Sequence, residues 1–137
     1  RRPRCSCATV ATQARGVQRY RVCPLDEIPE PGGVMVDVGD REIGVFRHEA
    51  QVYAYDNRCM HQGGPVCSGE LVGVTRRQLG PGGQAIGDRL DEHEMRLVCP
   101  WHGWEYDLAT GEVAHDRRRR LRSFPVTVED GVVYVDA

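Results

Sequence analysis

The 137-residue sequence contains no lysine: all eighteen basic residues are arginine. The simplest reading of that gap is a codon bias, since arginine has GC-rich codons and lysine does not. Net charge is only −2, so there is no global basic field to attract nucleic acid or an anionic membrane. No apolar run approaches the roughly 18 residues that a membrane-spanning helix needs. Arg1-Arg2 is not followed by an apolar segment, which argues against a twin-arginine export signal. The expected location is the cytoplasm. Long segments with apolar residues at a 3.6-residue period are missing, which excludes a mainly helical fold.

What is present is a series of short β-branched and aromatic runs. Tyr20 and Val22 alternate with Arg19 and Arg21. Val34, Val36 and Val38, then Ile43, Val45 and Phe46, then Val52 to Tyr55 follow, punctuated by Gly32-Gly33, Gly39-Asp40 and His48-Glu49. This pattern predicts an antiparallel meander. Leu25 to Ile28 predicts a turn or a single helical turn, ended by Pro29 and Pro31. Near the end, Phe124, Val126 and Val128 alternate, Asp130-Gly131 turns, and Val132 to Val135 return, a strong hairpin signal. The expected fold class is all-β, a small antiparallel sandwich or barrel. Residues 1–16 carry little pattern and are expected to form a poorly ordered arm. Residues 17–137 are expected to be a single domain. Within it, residues 73–95 are expected to form an inserted hairpin with Gly80-Pro81-Gly82-Gly83 at its tip.

Two loops carry the chemistry. The first reads Cys59-Met60-His61-Gln62-Gly63-Gly64-Pro65 and the second Cys99-Pro100-Trp101-His102-Gly103-Trp104. Each supplies one thiolate and one imidazole, spaced C-x-H and C-x-x-H. Thiolate suits iron–sulfur chemistry and imidazole serves iron as well as zinc. Ligands one or two residues apart can reach neighbouring metals from one tight loop. Glycines just past each histidine let the backbone curl close, and Pro65 and Pro100 stiffen the loops. Two cysteines and two histidines also suit a structural zinc module. Zinc fingers, however, usually place two cysteines in one knuckle and two histidines in another, whereas here each loop is mixed.

The pair of motifs, C-x-H-x-G-G-P and C-P-x-H-G-W, resembles the Rieske iron–sulfur family over roughly residues 17–137. The resemblance implies an antiparallel β-fold with one [2Fe–2S] cluster held between two loops at its tip. By the same resemblance, Cys59 and Cys99 bind one iron and His61 and His102 the other. Respiratory Rieske proteins carry two further cysteines that cross-link the loops; Gly64 and Trp101 stand at those positions. They also carry a serine that bonds a bridging sulfide; Trp104 stands there. Tyr106 matches the family's tyrosine that donates to a cysteine sulfur. Fewer donors imply a potential toward the low end of the Rieske range of about −150 to +300 mV. Oxygenase large subunits usually have Arg where Gln62 stands, and they need a 2-His-1-carboxylate iron site. His48, His93 and His115 are too scattered to supply one.

The resemblance therefore implies a Rieske ferredoxin with no catalytic residues of its own. It would carry single electrons from a reductase to a terminal enzyme such as an oxygenase, without nucleic acid or membrane as partner. Alternatives are a Rieske-like small subunit of nitrite reductase type and the zinc module. Arg117 to Arg122 is expected to be a charged strand edge or a steering patch for an acidic partner. Cys67 and Cys23 are expected to be small buried residues. Cys5 and Cys7 are expected to be unliganded thiols in the arm.

Overall fold

A computed structural model describes residues 2–5, 8–12, 17–60 and 62–137, with side chains from residues 2–5, 17–60 and 62–137. The strands are β1 (Arg4–Cys5), β2 (Ala8–Thr12), β3 (Gln18–Pro24), β4 (Gly32–Val38), β5 (Arg41–His48), β6 (Gln51–Asp56), β7 (Glu70–Leu79), β8 (Ala85–Val98), β9 (Glu105–Asp107), β10 (Glu112–Val113), β11 (Asp116–Arg120), β12 (Ser123–Phe124), β13 (Val126–Glu129) and β14 (Val132–Asp136). Helix is confined to short 3-10 turns at Leu25–Glu27 and Val66–Ser68 among the described residues.

The strands form three sheets, ordered β1-β4-β5-β6-β12, β13-β14-β3-β2 and β11-β10-β9-β8-β7. The first sheet is the middle layer. Its side chains alternate between two cores, as the two-residue period of a strand requires. Val34, Val36, Ile43, Val45 and Ala54 pack with Val22, Val133 and Val135 of the second sheet. Met35, Phe46 and Tyr55 pack with Leu97, Tyr106 and Leu108 on the other side. Because both faces are covered, β4 reads as a continuous apolar run, Gly-Gly-Val-Met-Val, rather than as a polar alternation.

Two tight turns fall where the sequence places them and a third lies one residue further on, at Glu49-Ala50 instead of His48-Glu49, while Gly32-Gly33 lies inside β4. Asp130 and Gly131 both adopt positive φ (51° and 74°) between β13 and β14. Glu49 and Ala50 do the same (48° and 65°) between β5 and β6, the twist that two-residue hairpins favour. Gly39, at +61°, turns β4 into β5.

Two features differ from the expectation. Phe124 does not share a strand with Val126 and Val128. It pairs with Ala54 in the first sheet, while Val126 pairs with Val135 in the second. Pro125, which has no N–H to donate to a ladder, stands where the chain changes sheets. Within residues 1–16, β1 pairs in parallel with β4 and β2 pairs with β3. Exposed strand edges offer unpaired backbone groups that recruit such segments. Residues 1, 6, 7, 13–16 and 61, and with them Cys7 and His61, lie outside the described residues.

β7 and β8 form a long hairpin whose ladder runs from Glu70↔Val98 to Leu79↔Ala85 and closes through the Gly80 N–H to the Gln84 carbonyl. A bulge shifts the register between Gly73 and Val74. Beyond it the arm stands in solvent, with Leu79, Ile86 and Leu90 exposed.

Candidate metal centre

β6 delivers the chain to the first loop and β8 delivers it to the second. The two loops close in the same way. The Cys59 N–H donates to the Gly64 carbonyl and the Gly63 N–H to the Cys59 carbonyl. The Cys99 N–H donates to the Trp104 carbonyl and the Gly103 N–H to the Cys99 carbonyl. Gly63 and Gly103 take positive φ (69° and 72°) at equivalent places, a conformation that costs other residues about 1 kcal/mol. On this shared frame the two motifs offset their histidines by one residue, at the second position after Cys59 and the third after Cys99.

The cysteines point into the core. Cys59 is 3% exposed and Cys99 1%, and both lie in one core cluster, close enough for Cys59 to raise the Cys99 thiol although forty residues separate them. His102 is exposed. Burial pushes the Cys99 thiol up, while the N–H groups of Trp101 and His102, which donate to its sulfur, pull it down. The Tyr106 hydroxyl lies 2.9 Å from the Cys59 sulfur and accepts the Met60 N–H at 3.1 Å. With its lone pair engaged by that N–H, the hydroxyl is oriented to donate to the sulfur. Burial, then the bond to Cys59, raise the Tyr106 phenol, so it stays a donor.

Two buried sulfurs close together, with three donors aimed at them, suit a group that binds through thiolates and carries negative charge on sulfur. The donor set thus fits an iron–sulfur cluster. Among the described residues, no three His, Cys, Asp or Glu side chains are grouped to hold one metal ion.

Behind each loop lies a different support. For the first, the Asn57 amide donates to Glu42, and its carbonyl accepts the Cys67 N–H at 2.7 Å. Cys67 is fully buried and its thiol reaches the Tyr55 and Asp56 carbonyls. Burial pushes that thiol up to about 12. For the second, β9 carries Tyr106 directly under the loops. Tyr55 donates to the Leu108 carbonyl at 2.5 Å and fastens the far side.

Between the loops, the Trp101 ring lies on Gly64: a Cβ added there would come within 2.9 Å of the indole. An indole packed on a glycine therefore occupies the place where the sequence lacks the respiratory cross-link. Trp104 stacks edge-on with His115 at 4.7 Å, and the Arg119 guanidinium lies 5.5 Å from its ring centre. The proximity of Trp101 to Gly64 and the role of His115 left no local sequence signal. The arginine run forms β11, the edge of its sheet. Arg117, Arg118 and Arg120 pair with Asp107, Asp116 and Glu112, which neutralises much of its charge. His48 bonds the Glu92 carbonyl and His93 pairs with Glu49, away from the loops.

Known proteins resemble this chain in sequence and in fold. The family model described as the Rieske [2Fe-2S] domain matches residues 18–125. The chain is 26% identical over 119 residues to the ferredoxin component of the alkene monooxygenase system of Xanthobacter autotrophicus, covering 87% of this chain and 81% of that protein. It is 31% identical over 114 residues to the nitrite reductase [NAD(P)H] large subunit of Klebsiella oxytoca, covering 83% of this chain but 10% of that protein. Among solved structures it resembles a chain in the complex of reduced oxygenase and oxidised ferredoxin of carbazole 1,9a-dioxygenase. The TM-score there is 0.62 at 25% identity, over 86% of this chain and 92% of that one.

Proposed function

The chain belongs to the Rieske [2Fe–2S] domain family, and from that premise we propose that Cys59, His61, Cys99 and His102 hold its cluster while residues 17–137 work as one electron-carrying unit. When bound, the cluster takes up and gives up one electron at a time. The chain's own residues set how it does so. Cys59 and Cys99 bind from the buried side, and the Tyr106 hydroxyl with the Trp101 and His102 N–H groups stabilises charge on their sulfurs. His102 binds from the exposed side, where a partner can approach. Met60 and Trp101 add exposed apolar surface beside it.

The observation that carries this reading is the meeting of two buried thiols from loops forty residues apart, with an exposed histidine beside them. The protein then acts on no substrate of its own. It receives an electron from a reductase and delivers it to a terminal oxygenase in the cytoplasm. The relatives support this: one is a ferredoxin component of a monooxygenase system, and another structure pairs ferredoxin with oxygenase. No helix among the described residues is long and apolar enough to cross a membrane.

The test is metal and acid-labile sulfide content with EPR of the dithionite-reduced protein. Two iron and two sulfide per chain with a Rieske signal are expected; zinc without sulfide overturns the proposal. The likeness to a nitrite reductase favours a second reading, in which the chain is a redox subunit of such an enzyme. Stable co-purification with a nitrite reductase, in place of turnover with an oxygenase, would select it.

A further inference from the structure

The second core holds a thiol pair that the metal centre does not use. Cys5 lies in β1 on the first sheet and Cys23 in β3 on the second. Cys5 packs against the core cluster that contains Cys23, close enough for its thiol to raise that of Cys23. Both line a cavity of about 520 Å³ that also contains Arg4, Arg21 and Glu27. Cys5 is partly exposed, while Cys23 is 3% exposed. Neither is within reach in sequence of the cluster loops. Among the described residues β1 pairs at two ladder positions, Arg4↔Met35 and Cys5↔Val36, and the Met35 N–H donates to the Pro3 carbonyl beside them. Yet the same segment carries Arg2, whose side chain donates to the Cys67 and Gly69 carbonyls at 2.9 and 2.5 Å, with its guanidinium 5.1 Å from the Phe46 ring centre. The segment that leads into β1 thus buttresses the turn behind the first loop.

We propose that Cys5 and Cys23 are a redox modification site, forming an inter-sheet disulfide by exchange with a low-molecular-weight acidic disulfide such as glutathione disulfide. The Cys5 thiolate, at the cavity mouth, attacks one sulfur of the reagent, whose S–S bond breaks and releases one thiol. The Cys23 thiolate then attacks the Cys5 sulfur, forming the protein disulfide and releasing the second thiol. The two protein thiols are oxidised, one reagent disulfide is reduced to two thiols, and the two protons pass to those products. Burial, followed by the neighbouring Cys5, pushes the Cys23 thiol up to about 12, while Arg21 acts in the opposite direction. Cys23 is therefore the slow, resolving partner. At the cavity Arg21 favours a negatively charged reagent, while Arg4 is paired with Asp37 and Glu42. The bond closes the loop over residues 6–22 and fastens the segment that carries Arg2.

The test incubates the intact, cluster-containing protein with glutathione disulfide under anaerobic conditions and reads intact mass and the disulfide map. The expected result is loss of two hydrogens per chain, a Cys5–Cys23 cross-linked peptide, and a rise in unfolding midpoint of roughly 5–15 °C. Cys7→Ser should cross-link as well as the unaltered chain. Cys23→Ser should stop at one glutathione on Cys5, and Cys5→Ser should form no cross-link. A Cys5–Cys7 bond, or glutathione adducts alone on the unaltered chain, overturns the proposal. Mass and midpoint do not depend on which residues hold the cluster.

Discussion

The two cluster loops have the same hydrogen-bonded frame but stand on different foundations. In the first, Gln62 and Gly63 both take positive φ (64° and 69°), and the loop runs into a 3-10 turn seated on the buried Cys67. In the second, only Gly103 takes positive φ, and the loop runs straight into β9, where Tyr106 stands below both cysteines. The frame places a thiol in each loop, and in the second it leaves the His102 imidazole exposed. Equivalent turns can thus serve chemically different positions when their supports differ.

The largest expected effect tests the equivalence of the frames. Cys59→Ser and Cys99→Ser should each abolish the cluster, measured as iron and sulfide content and as the visible spectrum. Retention of iron in one variant alone would show that the loops contribute unequally.

The next tests separate the foundations. Gly69, at the end of the first loop's 3-10 turn, has room for no Cβ: one would lie 1.7 Å from the Val98 carbonyl oxygen. Gly69→Ala should cost about 3 kcal/mol or more, read from urea unfolding. At Gly64 the atoms nearest an added Cβ belong to the exposed Trp101 ring, so Gly64→Ala should cost about 1 kcal/mol.

Alkaline pH should weaken the first foundation through Cys67. Burial pushes its thiol up to about 12, well above the ordinary thiol range. The folded state therefore favours the protonated thiol. This contribution is complete below about pH 9 and is lost as pH rises toward 12, amounting to roughly 2–4 kcal/mol in all. In Cys67→Ala the unfolding midpoint should decline less across that window.

Tyr106→Phe acts on the second foundation. It removes the donor to the Cys59 sulfur and strands the Met60 N–H. Donation to sulfur favours the electron-rich reduced state, so the reduction potential should fall by about 40 mV, the equivalent of a net hydrogen bond of about 1 kcal/mol. The unaltered protein should itself lie toward the low end of the Rieske range of about −150 to +300 mV. The smallest effect should come from Gln62→Gly, which relieves a left-handed residue and should change stability by about 0.5 kcal/mol or less. His102→Gly, at the equivalent place in the second loop, should remove the cluster.

Much of the metal centre was legible in the residues. The two Cys/His motifs and the Asp130-Gly131 turn need only neighbours along the chain, and that turn joins β13 to β14 as expected. The second sheet's claim on Val126 was not legible, because a break at Pro125 and a continuous alternation look alike until the pairing partners are known. The strands within residues 1–16 escaped for the same reason: β1 and β2 have little pattern of their own and borrow order from the edges of β4 and β3.

By itself the sequence determined an all-β chain with two mixed thiolate–imidazole loops, because strand alternation, turn chemistry and ligand spacing are local properties. Only the tertiary structure decided which distant groups meet. It brought Cys59 to Cys99, laid Trp101 on Gly64, set Cys5 against Cys23 and paired the arginines of β11 with Asp107, Asp116 and Glu112. Each of these contacts depends on which sheet faces which, and packing two faces of one middle sheet against separate cores is a choice made by the whole chain.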